Sequence, residues 1–265
     1  MLRIFHIAII LACLALPSPG HGADIQSGQE AYLAGDYQTA LEVFRTLAAQ
    51  GDVEAQHMLG SMYESGKGVF KSNEEGSKWH RSAAEKGHEK SQYSLGQMYK
   101  YGVGVNEDFQ ESAKWLKLAA EQGNQDAVIS LGNLYYWDLS DPEEAIKWYL
   151  PAAKQGNAEA QAYLGRIYDN GEGVPENWIE AFRWHRSAAD QGRGDAQFFL
   201  GVKYAEGQGV AKDNTLAYMY LNLSAANGVQ VAADRKEIVA KLMTNQEIFK
   251  AQELSSKWHE DHKEL

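Results

Sequence analysis

The chain has 265 residues, 44% of them hydrophobic and 23% charged, with 36 acidic against 25 basic side chains and a net charge of −11. That composition is globular rather than disordered. So acidic a surface has no general attraction for nucleic acid, which is bound by neutralising phosphates, or for anionic lipid.

Residues 1–22 read as a cleaved export signal. Arg3 supplies the positive charge, Ile4 to Leu16 the apolar run, Pro17 breaks it, and Gly20, Gly22 and Ala23 offer small residues for cleavage. The run is too short to cross ~30 Å of hydrocarbon, so no membrane span is expected after cleavage, and the expected location is periplasmic or secreted. Cys13, the only cysteine, falls within this segment. The mature chain is therefore expected to have neither disulfides nor a thiolate metal site.

Residues 25–52 carry Gly28, Ala31, Gly35-Asp36-Tyr37, Ala40 and Phe44, a helical pattern split by a short turn. Five longer units follow, at 53–88, 89–124, 125–157, 158–193 and 194–229. A Leu-Gly pair with Tyr three residues on recurs at Leu59-Gly60-Tyr63, Leu95-Gly96-Tyr99, Leu131-Gly132-Tyr135, Leu164-Gly165-Tyr168 and Leu200-Gly201-Tyr204, at steps of 36, 36, 33 and 36 residues. A second anchor keeps that step through Trp79, Trp115, Trp148, Trp184 and Tyr220, each followed by a small-residue pair and then a glycine. Fixed self-similarity over this length marks a stacked repeat.

Within each unit the apolar period is helical, as in Ala55, Leu59, Met62 and Tyr63. A glycine inside a helix costs about 1 kcal/mol against alanine. Its expected use is close approach of the second helix, with the aromatic anchor covering the gap and the Ala-Ala pair admitting the next unit. Gly66-Lys67-Gly68-Val69 and its copies at 102–105, 171–174 and 207–210 follow a helix rather than a strand. They therefore read as turns, not phosphate cradles. The third unit has Trp137-Asp138-Leu139-Ser140-Asp141-Pro142 in that place, which accounts for its shorter length. Residues 230–265 read as a terminal capping pair. Thr244 to Glu247 have capping-box spacing, and Ile248, Ala251, Leu254, Ser255 and Trp258 form an apolar edge.

These motifs, over most of residues 53–229, resemble the Sel1-like repeats, a branch of the tetratricopeptide-like solenoids; residues 25–52 look more like an ordinary tetratricopeptide unit. The resemblance implies an all-α superhelix of stacked helix hairpins. It also implies a non-catalytic scaffold that binds a protein or peptide on a concave face lined by the first helix of each unit. The inward positions this implies run from Glu54, His57, Ser61 and Glu64 to Asp195, Phe198, Val202 and Glu206. Those selected as a partner-binding strip are Tyr93, Gln97, Lys100, Tyr101, Ile129, Asn133, Tyr136, Trp137 and Arg166, because large aromatics are common interface anchors. Aromatics at this spacing also serve as ordinary core between helices. The same strip fits a glycan-binding envelope protein. Some secreted relatives have been associated with penicillin binding and β-lactam hydrolysis, but those carry a disulfide in each repeat.

No cofactor or metal site is expected. His80 and His185 follow the repeat tryptophan and read as equivalent outward positions that cannot converge on one ion. His259 and His262 read as a solvated terminal turn lacking the zinc-hydrolase order. Serines such as Ser82 and Ser187 recur with the repeat, so no nucleophile stands apart from the pattern.

Overall fold

The computed structural model describes residues 24–262, so the expected export signal lies outside the described residues. Among them are fourteen α-helices and no strand. The N-terminal hairpin is α1 (Ile25–Leu33) and α2 (Tyr37–Ala49). The five units follow as α3 (Val53–Ser65) with α4 (Asn73–Ala84), α5 (Glu89–Tyr101) with α6 (Phe109–Glu121), α7 (Gln125–Asn133) with α8 (Pro142–Lys154), α9 (Ala158–Asn170) with α10 (Trp178–Ala189), and α11 (Gly194–Glu206) with α12 (Asn214–Ala226). Helices α13 (Gln230–Ala240) and α14 (Asn245–Asp261) pack onto α12 and end the array. From α1 to α12 each helix packs chiefly on its neighbours in the chain, as stacked hairpins require. The first helix of each unit is called A below and the second B.

Local sequence sets the helix ends. Asp52, Asn124 and Asn157 each accept a backbone N–H at the start of an A helix, and His88 does so in the second unit. Four A helices end on a left-handed glycine, Gly66, Gly102, Gly171 and Gly207. The second glycine of the loop does more than bend it. Gly104 has φ +70°, and a Cβ there would lie 2.1 Å from the Asn73 carbonyl oxygen at the start of the previous unit's B helix. Gly209 meets Trp178 in the same way. The loop is thus an inter-unit contact that only a bare backbone can make.

The in-helix glycine is also a close-approach point, but a different residue covers it. The side chain crossing Gly60, Gly96, Gly132, Gly165 and Gly201 is the one after the aromatic anchor: His80, Leu116, Tyr149, His185 and Leu221. The anchors themselves wedge between units. Trp115 is buried against Ala84 and Leu95, and Trp148 packs on the cluster of Leu116, Leu131 and Leu134. The outward reading of His80 and His185 is therefore corrected: both are 0% exposed, because the glycine opposite leaves room for an imidazole.

Apolar burial supplies most of the cohesion, with side chains such as Phe44, Leu59, Leu95 and Leu164 fully buried, each contributing about 1.5–3 kcal/mol. A polar ladder adds register. Gln56, Gln92, Gln161 and Gln197, all buried, donate to the carbonyls of Ala48, Ala84, Ala153 and Ala189 at 3.0–3.4 Å. Their own oxygens accept from Lys86, Gln122, Gln191 and Asn227 at the end of the next B helix. Buried amides placed this way lose hydrogen bonds if one unit slips against the next.

Candidate functional site

Adjacent A helices contact each other through residues outside the repeat pattern. Gln97 donates to the Tyr93 hydroxyl at 2.8 Å and to Ser130 at 3.1 Å, joining α5 to α7. Lys100 pairs with Asp138 at 2.8 Å, so its charge is already neutralised. Asn133 accepts from the Tyr149 hydroxyl at 2.6 Å and donates to Glu159 at 3.2 Å. Ile129 packs on the core around Tyr149 and Leu164, which is the ordinary core alternative. Tyr101 is 64% exposed, beside Lys100.

The third unit departs from its neighbours. Lacking the loop glycines, α7 continues into a π turn over Leu134–Asp138, and Ser140 takes a positive φ of 53°. Such turns change which way side chains face and recur at functional sites. Tyr136 and Trp137 sit on this turn with ring centroids 4.7 Å apart. Tyr163 of α9 lies 5.8 Å from Tyr136 and 6.3 Å from Trp137, and stacks on Tyr149 at 5.0 Å. The Arg166 guanidinium lies over Trp137 at 4.9 Å and over Tyr136 at 5.8 Å. Trp137 remains 51% exposed, and Tyr136, Trp137, Ser140, Pro142 and Glu172 line a surface pocket. Burial, helped by a hydrogen bond with Glu172, pushes the Tyr136 phenol up to about 12, so it stays protonated near neutral pH.

Of the nine selected residues, the structure gathers Tyr136, Trp137 and Arg166 into one patch. Tyr93, Gln97, Lys100 and Asn133 join neighbouring A helices, Ile129 is core, and Tyr101 lines a second pocket with Tyr93 and Gln97. Tyr163 was missed. It precedes a repeat leucine, where the other units have Met58, Ser94, Ser130 and Phe199. An aromatic at a position that is small in two other copies was the available signal.

Two buried polar clusters were missed as well. Ser91 Oγ lies 3.1, 3.5 and 3.0 Å from Nδ1 of His57, His80 and His88. His88 Nε2 is 3.0 Å from Glu54, and His80 Nε2 is 3.2 Å from Glu64. One hydroxyl proton satisfies only one of three ring nitrogens, so the other two rings face Oγ as donors. Ser91, His88 and Glu54 have the order of nucleophile, base and acid. Ser91, however, is fully buried, and His88 Nδ1 also accepts the Ser91 backbone N–H, which makes it a helix cap. In the fourth and fifth units Asp169 accepts from His185 at 2.9 Å and from Lys203. Burial works to raise the Asp169 carboxyl, but these two donors outweigh it and hold it below its ordinary value. Lys203 is 1% exposed and Asp169 half-buried, so this pair joins the two units with its ammonium held away from solvent. Among the described residues no group of three or more His, Cys, Asp or Glu is arranged to hold a metal ion, and no helix is long and apolar enough to cross a membrane.

With that geometry established, comparison with known proteins gives a consistent picture. The Sel1 repeat profile matches residues 53–88, 89–124, 126–157, 158–192 and 194–229. The crystal structure of a Sel1 repeat protein from Oxalobacter formigenes is 34% identical, with 77% of this chain and 85% of that chain covered and a TM-score of 0.69. The protective antigen c5321 of uropathogenic Escherichia coli, described as displaying the same repeat fold, is 26% identical over 89% of this chain and 68% of that one, with a TM-score of 0.50. Nothing among curated proteins matches.

Proposed function

Because the chain belongs to the Sel1 repeat family, whose repeats typically mediate protein interactions, we propose that it is an exported scaffold holding a protein or peptide on its A-helix face, centred on the π turn of the third unit. The observation that carries this reading is the grouping of Tyr136, Trp137, Tyr163 and Arg166. Residues from two consecutive units meet there, at the one place where the repeat loop is replaced. Aromatic side chains anchor interfaces because they bury large areas at small entropic cost, and arginine adds directed hydrogen bonds. Tyr101 and the pocket beside Tyr93 extend the same face by one unit. Export is supported by the apolar run of Ile4–Leu16 behind Arg3, broken by Pro17 and followed by small residues; N-terminal sequencing of the protein from its native host tests it.

The scaffold reading is tested by recovering the native protein with its bound partners after in-cell crosslinking. Replacing Tyr136 and Trp137 together by alanine is expected to lower partner recovery at least about ten-fold with the helical content unchanged, the loss of two anchors of ~1–2 kcal/mol or more each. Undiminished recovery from the folded double variant contradicts it.

A further inference from the structure

We propose that Arg166 is the receptor for a carboxylate of the docked segment, so that the partner presents an aspartate, a glutamate or a free C-terminus beside an apolar side chain. This rests on the docking face assigned above and gives its occupant a chemistry.

The observation is an imbalance among the arginines. Arg45 and Arg81 donate to the hydroxyls of Tyr63 and Tyr99. Arg183, Arg186, Arg193 and Arg235 pair with Glu180, Asp190, Asp195 and Glu206. Arg166 alone among the described arginines has neither a hydrogen bond nor an ion pair; its guanidinium meets only the rings of Trp137 and Tyr136. The shortage is not one of acids. Glu159 already accepts from Asn133 and lies 4.0 Å from Arg193, and Glu172 accepts from Asn170 at 2.8 Å. Lys100, the other cation of the strip, is taken by Asp138.

A guanidinium that lies over aromatic rings and has no hydrogen-bond partner keeps its N–H groups for an incoming acceptor, and a carboxylate matches that fork with two parallel bonds. The rings hold the ion in place, so little rotamer freedom is lost when the anion arrives. The exposed face of Trp137 then receives the neighbouring apolar side chain. On a chain with net charge −11, an acidic segment gains no general attraction to the rest of the surface. One unpaired arginine in the aromatic patch therefore fixes register as well as affinity.

The test uses a displayed library of random short peptides selected on the folded chain, with binders resynthesised. Binders that fail on the Trp137→Ala protein are expected to carry one essential carboxylate. Exchanging it for the amide, by Asp→Asn, Glu→Gln or C-terminal amidation, should weaken binding about ten-fold or more, and which exchange does so identifies the source. Arg166→Gln should cost the same, and on that background the peptide exchange should add less than about two-fold. Because the amide exchange leaves the protein untouched, a folding defect cannot imitate it. Trp137-dependent binders indifferent to amidation overturn the proposal and leave the docking face standing. A selection that yields no Trp137-dependent binder overturns both.

Discussion

Where a glycine lies beneath another helix, the residue crossing it decides how much an added methyl costs. Gly165 meets the His185 ring with a would-be Cβ 2.5 Å from Cε1, and that ring is pinned between Asp169 and Phe199. Gly165→Ala is therefore expected to destabilise the chain by about 2–3 kcal/mol, and Gly96→Ala by a similar amount, because the added carbon would meet Cγ and the backbone nitrogen of the fully buried Leu116; urea unfolding of the two variants measures both losses. The histidine cluster gives a pH dependence. Burial, then the imidazoles of His80 and His88 and the Lys90 ammonium, push the His57 ring down to about 3 from its ordinary 6.5. The cluster also faces the carboxylates of Glu54 and Glu64. As pH falls below 6.5 the unfolded chain takes up the His57 proton first, so stability is present above that value and drains away between 6.5 and about 3. His57→Gln is expected to flatten the fall in stability between neutral pH and about pH 5, followed by denaturant titration at each pH; an unchanged slope contradicts the assignment. Sequence alone made His80 and His185 surface residues. A periodic pattern identifies equivalent positions but does not say which side of the glycine helix they face.

At the scale of the element, the caps and turns were legible because they have local causes. The capping box at Thr244–Glu247 forms as its spacing implies, with both the side-chain and the backbone bond made. The missing glycines of the third unit were also visible, but the π turn replacing them was not. A helix without a left-handed stop ends where packing allows, and that depends on Tyr149 and Tyr163 from distant parts of the chain. The loop glycines make a sharper claim. Gly104→Ala adds a side chain at φ +70° and drives it into the Asn73 carbonyl, so a loss of about 2 kcal/mol or more is expected. Hydrogen exchange should rise in α4 and α5, which the contact joins, while α13 and α14 keep their protection. A loss spread evenly over the chain would mean that the loop does not couple those units.

Across the whole molecule, the architecture was readable from the sequence for the same reason that the site was not. A core that repeats must repeat its residues, so Leu, Gly, Tyr and Trp recur and declare the stack. A partner surface is built from the positions free to differ, and difference alone does not say which residues meet. Tyr136, Trp137 and Arg166 were chosen as departures and do meet, whereas Ile129, chosen on the same ground, is core and Lys100 is spent on Asp138. Function therefore turns on which face of the stack is used. A photo-crosslinking amino acid placed singly at Tyr101 and Trp137 on the A side, and at the exposed Lys117, Lys147 and Arg183 on the B helices, in cells of the native host, reads this directly. Adducts to a common protein partner at Tyr101 and Trp137, and none at the three B-helix positions, are the predicted result. Adducts confined to the B-helix positions would contradict it.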